Sequence, residues 1–93
     1  MEIKHVKLKT NNRFLILEGE DEIGEMSYTY IKDGLIDINH TFVKEDYRDQ
    51  NLGKKLINAI VSFMRENDIK AKPSCPYVKK VFSKNAEYND VVA

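Results

Sequence analysis

The sequence predicts an α+β fold in which a four-stranded antiparallel meander is followed by a long helix, a fifth strand and a short helix. Three observations lead there. From Ile3 to Val43 apolar and polar residues alternate in short runs, the two-residue period of strands. From Leu52 to Met64 the apolar residues recur at three- and four-residue spacing, as on one face of a helix. Between two of the alternating runs stands Asp33-Gly34, a pair that suits a tight hairpin turn.

"IKHVKLK" (Ile3–Lys9) alternates, with Lys4, Val6 and Leu8 on one face and His5 on the charged side. A turn at Asn11-Asn12 leads to a more buried strand, "RFLILEG", ending at Gly19. Glu22–Lys32 places Met26, Tyr28 and Tyr30 on one side and Glu25, Ser27 and Thr29 on the other. A type I′ turn at Asp33-Gly34 leads into Leu35–Val43, whose apolar face reads Ile36, Ile38, His40 and Phe42. The helix from about Asn51 to Glu66 rows up Leu52, Leu56, Ile60 and Phe63, and Asn67-Asp68 ends it. "IKAKP" is short enough for a fifth strand, and a right-handed crossover makes it parallel to the fourth. Pro76 suits the first turn of a last helix, "PYVKKVFSKN". The predicted order is β-β-β-β-α-β-α in one domain, residues 1–93.

Composition narrows the function classes. Fifteen Lys and Arg balance fifteen Asp and Glu, so global charge favours neither nucleic acid nor an anionic membrane. No run approaches the ~18 apolar residues of a membrane span, and the alternating N-terminus has no apolar core of a signal peptide. A single cysteine, Cys75, forms no internal disulfide and suits a reducing, cytoplasmic setting. One cysteine and two histidines make no structural zinc site, so no metal is expected. The expected state is a monomer or weak dimer.

The entry to the long helix is unusual. Between Tyr47 and Leu52 it is polar, and a glycine, Gly53, lies in the first turn, where it costs roughly 0.8–1 kcal/mol against alanine. A helix N-terminus gathers several backbone N–H groups and about half a positive charge. A bare Cα lets a phosphate come close, and Lys44, Arg48, Lys54 and Lys55 add charge. A capped surface helix with an incidental glycine is the alternative.

Arg48-Asp49-Gln50-Asn51-Leu52-Gly53 resembles the R/Q-x-x-G-x-G/A acetyl-CoA signature of the GNAT superfamily of N-acetyltransferases. It also lies where that signature lies, between the fourth strand and the long helix. Arg48 matches its first position and Gly53 its last. Asn51 stands in place of the middle glycine, and Asn tolerates left-handed backbone. A broader similarity, to the minimal single-domain YidJ-like subgroup, runs from about Gly34 to Val92. It includes His40-Thr41, Pro73-Ser74-Cys75 and the ending Glu87-Tyr88-Asn89-Asp90-Val91-Val92. The superfamily's helices between the first two strands have no counterpart in "KTNNR".

That resemblance implies acetyl-CoA as co-substrate and an amine, small molecule or protein, as acceptor. Pantetheine would lie where the fourth and fifth strands splay, with Phe42 and Val43 offering backbone amides. The diphosphate would rest on Arg48, Asp49, Gln50, Asn51, Leu52, Gly53 and Lys54, beside Lys55. His40 and Cys75 would face each other near the acetyl group.

Histidine is the side chain best suited to take a proton near neutrality, so His40 is a candidate base or an activator of Cys75. A neighbouring thiolate could itself carry the acetyl group, making Cys75 a candidate nucleophile. Against these stand a core histidine and a small buried cysteine. Tyr77 is a further candidate for the cofactor's surroundings. An acyl-CoA-binding module without catalysis and a small interaction domain remain as alternatives.

Overall fold

The computed structural model describes residues 1–93. Its five strands, β1 (Glu2–Val6), β2 (Asn12–Glu18), β3 (Asp21–Lys32), β4 (Leu35–Val43) and β5 (Lys70–Ala71), form one sheet in sequence order. The first four pair antiparallel, and β5 pairs parallel to β4. Helix α1 (Leu52–Glu66) makes the crossover, and α2 (Pro76–Lys84) follows β5. The order is the one the sequence predicts. Two short 3-10 turns, Glu45–Tyr47 and Ala86–Val91, were not expected.

Both helices pack on the same face of the sheet. Leu52, Leu56, Ile57, Ile60, Val61 and Met64 of α1 meet Phe14, Ile16, Met26, Tyr28, Ile36 and Ile38 of the strands, and Val78 and Phe82 of α2 join the same core. Each of these buried side chains contributes about 1.5–3 kcal/mol, an upper estimate against an extended unfolded chain. The sheet's other face carries Arg13, Glu25, Ser27 and His40, and no helix lies on it.

Three local expectations are corrected. β1 ends at Val6, short of Lys9, and Ile3 and His5 pair with Ile16 and Phe14, which face the helices. His5 therefore belongs to an aromatic cluster, not to a charged face. It stacks on Phe14 at 4.0 Å, meets Phe63 edge-on at 4.6 Å, and its Nε2 lies 2.6 Å from the Tyr28 hydroxyl. Burial and the neighbouring Lys7 lower its pKa, keeping the ring neutral near neutrality. At the hairpin only Gly34 has positive φ, 77°, and Asp33 does not, so the turn is not type I′. A register shift between Tyr30 and Lys32 absorbs the difference.

The ending Glu87–Val92 is part of the core. Tyr88 and Val91 are buried, with the Tyr88 ring 5.3 Å from Phe82 and its hydroxyl donating to Asn58 Oδ1 at 3.3 Å. Arg65 of α1 donates to Asp90 and to the Glu87 carbonyl, while Val92 bridges Ala71 beyond the edge of β5. Truncating a buried aromatic ring costs about 3–5 kcal/mol. Tyr88→Ala should lose about that much in urea unfolding followed by circular dichroism, and Tyr88→Phe about 1 kcal/mol, one hydrogen bond. A Tyr88→Ala midpoint equal to the wild type's would mean that the ending adds nothing to the core.

Candidate functional site

The site begins with a defect in β4. Tyr28 of β3 pairs with Ile38, but the next pair is Ser27 with His40, so β4 carries one extra residue at Asn39/His40. Such a bulge resets the alternation of side chains. Beyond it Thr41 pairs with the buried Met26, while His40 and Phe42 pair with Ser27 and Glu25 on the uncovered face. His40 and Phe42 thus leave the face of Ile36 and Ile38, contrary to the expected row.

β5 parts from β4 at the same place. Backbone bonds from Lys70, Lys72 and Cys75 reach the carbonyls of Gly34, Ile36 and Ile38, and no such bond joins the strands after Ile38. The Lys44 amide bonds to the Ile23 carbonyl on β3, so by antiparallel alternation Phe42 also points its backbone groups at β3. Thr41 and Val43 point theirs to the open edge. The open-edge amides therefore come from Thr41 and Val43, not from Phe42 and Val43.

Cys75 lies on the helix side of this opening. It is 5% exposed, and its Sγ is 3.5 Å from Thr41 Oγ1. His40, its imidazole 58% exposed, lies across the sheet with its Nε2 4.0 Å from Glu25 Oε2. The two candidate catalytic side chains do not face each other.

A cleft of about 380 Å³ runs from the open edge to the start of α1. Thr41, Phe42, Val43, Arg48, Asn51, Leu52, Gly53, Lys54 and Tyr77 line it, whereas Asp49, Gln50 and Lys55 do not. The amides of Arg48 and Gln50 are held in the preceding turn by Glu45 and Tyr47. Those of Asp49, Asn51, Leu52, Gly53 and Lys54 donate to no protein acceptor. Asn51 supplies this by taking left-handed backbone, φ 57°, at the helix N-cap without closing it with its own side chain. Arg48 donates through Nε to the Val43 carbonyl at 2.9 Å and stands 6.0 Å from the Phe42 ring centre. Lys44 is drawn away, bonded to Asp21 at 3.2 Å.

Gly53 has a cause on the protein side as well. A Cβ there would lie 2.7 Å from the Tyr77 hydroxyl and 3.0 Å from the ring carbon bearing it. The bare Cα lets α2 lay Tyr77 over the first turn of α1. The Tyr77 hydroxyl has no protein partner, and burial, with Tyr88 and Cys75 nearby, raises its pKa, so the phenol keeps its proton near neutrality.

The profile of the GCN5-related N-acetyl-transferase family matches residues 13–91. The chain belongs to this family. Protein NATD1 of Danio rerio is 33% identical over 78 residues, 83% of this chain and 71% of its own length. NATD1 of Mus musculus is 32% identical over 69 residues, and the chain spans only 63% of that protein. The solution structure of a GCN5-like protein from Staphylococcus aureus superposes with a TM-score of 0.78 at 33% identity, covering 99% of this chain and 87% of that one. An aminoglycoside acetyltransferase from an uncultured soil metagenomic sample, solved with sisomicin, shares the fold at a TM-score of 0.62 and 21% identity, over 86% of this chain and 57% of that one.

Within the family frame, Thr41 and Tyr77 are the site residues that loop reasoning undervalued. Thr41 was hidden by the bulge, and Tyr77 carried a signal only as an aromatic one residue into a helix. The Gly53–Tyr77 contact is directly testable. In otherwise wild-type protein Gly53→Ala should destabilise, because Cβ meets the phenol. In a Tyr77→Leu background the same change should stabilise by up to about 1 kcal/mol, the helical preference of alanine. Equal effects in both backgrounds, measured by thermal or urea unfolding, would show that Tyr77 does not require the glycine.

Proposed function

We propose that the chain is an acetyl-CoA-dependent N-acetyltransferase acting on an amine that reaches the uncovered face of the sheet. The observation carrying this reading is the row of four unpartnered amides, Asn51 to Lys54, opening on the cleft beside Arg48. Amides in that arrangement suit a diphosphate, and the bare Gly53 adds no side chain on the approach. Acetyl-CoA supplies the activated acetyl thioester.

The other roles follow from what each side chain faces. Thr41 and Val43 offer amides along the open edge, where an extended amide-bearing chain adds to the sheet as a strand would. Those amides also favour negative charge developing on a carbonyl oxygen. Tyr77, protonated and unpartnered at the cleft, is the donor available to a departing sulfur. His40 holds its imidazole on the opposite face, near the opening, as the base for an incoming amine. With donor and acceptor on either side of one gap, direct transfer needs only positioning. Cys75, buried beside Thr41, serves as packing at the wall of that gap.

Thermal melting tests the cofactor. Acetyl-CoA at about 100 times its dissociation constant should stabilise the protein by about 2.7 kcal/mol. His40→Ala should keep that shift while transfer falls by ~10²–10⁴. A melting curve unmoved by saturating CoA and acetyl-CoA would favour an interaction domain, and a full shift with no transfer to any amine a binding module.

Direct transfer has its own test. Intact-protein mass after incubation with acetyl-CoA and no amine should show no hydroxylamine-labile acetyl group. Stoichiometric acetylation of Cys75 that discharges to an amine as fast as turnover would make it the nucleophile instead.

A further inference from the structure

We propose that Glu25 is the positioning residue of His40, a carboxylate that fixes which imidazole nitrogen is left to accept a proton. The inference rests on the reading of His40 as base and deepens it. The bulge sets His40 diagonally across from Glu25, with Nε2 of the one 4.0 Å from Oε2 of the other. That separation is longer than a hydrogen bond, but a small rotation of either side chain closes it, and the carboxylate then favours a hydrogen on the nitrogen facing it and leaves the lone pair on Nδ1.

Glu25 is not a loose surface acid. Arg13 Nη1 donates to its Oε1 at 2.9 Å, leaving Oε2 for the histidine, and the side chain is only 26% exposed. Arg13 is confined in turn, with Glu22 3.8 Å away and its Nε buried without a partner. The chain Arg13–Glu25–His40 thus runs over β2, β3 and β4 on the uncovered face and ends two residues from Phe42, which lines the cleft.

The other charged or titratable groups nearby are engaged or turned away. Asp37, three residues back on β4, accepts hydrogen bonds from the Ser74 amide and hydroxyl. Cys75 lies on the helix side, beside Thr41. His40 has no hydrogen-bond partner of its own, so Glu25 is the group left to orient it. A solvated ion pair in this place adds little to stability. A base held by a third group is the general form of an activated acceptor of protons.

The test reads the tautomer directly. With ¹⁵N-labelled histidine and His40→Ala to assign the signals, long-range ¹H–¹⁵N spectra at a pH where the rings are neutral report which nitrogen carries hydrogen. Wild-type His40 should be predominantly Nε2-protonated. Glu25→Ala should at least double the Nδ1-protonated share, and Glu25→Gln, whose one amide oxygen stays with Arg13 so that its NH₂ faces the ring, should raise that share too. Identical tautomer populations in wild type and Glu25→Ala overturn the proposal.

A second arm follows thiol release from acetyl-CoA with ethylenediamine as acceptor. Glu25→Ala should lower kcat about tenfold with the KM for acetyl-CoA unchanged, and should lower it no further in a His40→Ala background. An equal loss in both backgrounds also overturns the proposal, because Glu25 would then act without His40. Full activity in His40→Ala overturns the base assignment itself, and the tautomer spectra separate that failure from a failure of the pair.

Discussion

The extra residue that β4 carries at Asn39/His40 decides which side chains each face of the sheet receives, and much of the site depends on it. Before the bulge, Ile36 and Ile38 face the helices; after it, Thr41 does, and His40 and Phe42 turn to solvent. The same residue brings β4's free backbone groups to the side that β5 has left, so that Thr41 and Val43 form an open edge there. A regular β4 would keep His40 with the core and turn Thr41 away from Cys75. An exposed strand edge is ordinarily a liability. Here Arg48 occupies the Val43 carbonyl, and α2 places Tyr77 along the cleft.

How far the sequence could be followed depends on whether its signals were periodic. Helix α1 was legible because six buried residues repeat at helical spacing, and β3 because Met26 and Tyr28 alternate with Glu25 and Ser27. The crossover and the parallel β5 followed from strand–helix–strand order alone. The bulge left no trace, since Ile36, Ile38, His40 and Phe42 continue the two-residue pattern straight through it, without a glycine to mark the break. His5 misled for the opposite reason. Its lysine neighbours suggested a charged face, whereas the pairing of β1 with Phe14 sets it among aromatic rings. At the C-terminal end, Tyr88 and Val91 are three residues apart, the repeat of a 3-10 turn, too short a run for periodicity to stand out.

One glycine answers two demands. Gly53 keeps Cβ away from the Tyr77 hydroxyl, and it also leaves the first turn of α1 bare among the four unpartnered amides of Asn51 to Lys54. The loop motif alone suggested only the second. Geometry adds the first, and with it a physical link between the two helices: the Tyr77 phenol can lie where it does over the start of α1 because the side chain there is missing. A larger residue at position 53 therefore disturbs the cleft even before any ligand arrives. Loss of binding in such a variant reports on the Tyr77 wall as much as on contact with phosphate. The unfolding cycle with Tyr77 separates those causes.

The two faces of the opening differ in solvent, and that difference bears on how catalysis is divided between them. On the helix side Cys75 and Thr41 touch in a nearly dry wall beneath α2, where electrostatic interactions act at low dielectric. On the uncovered side His40 and Glu25 stand in contact with water, where the field of a carboxylate is screened and an ion pair adds little energy. A base in that setting gains little from desolvation. Any advantage His40 had there as a base would come from geometry, with its Nε2 4.0 Å from Glu25 Oε2. No helix overlies this face to build a fitted pocket, so the sheet itself, with Arg13–Glu25–His40 laid across it, is the surface on which an amine would be oriented.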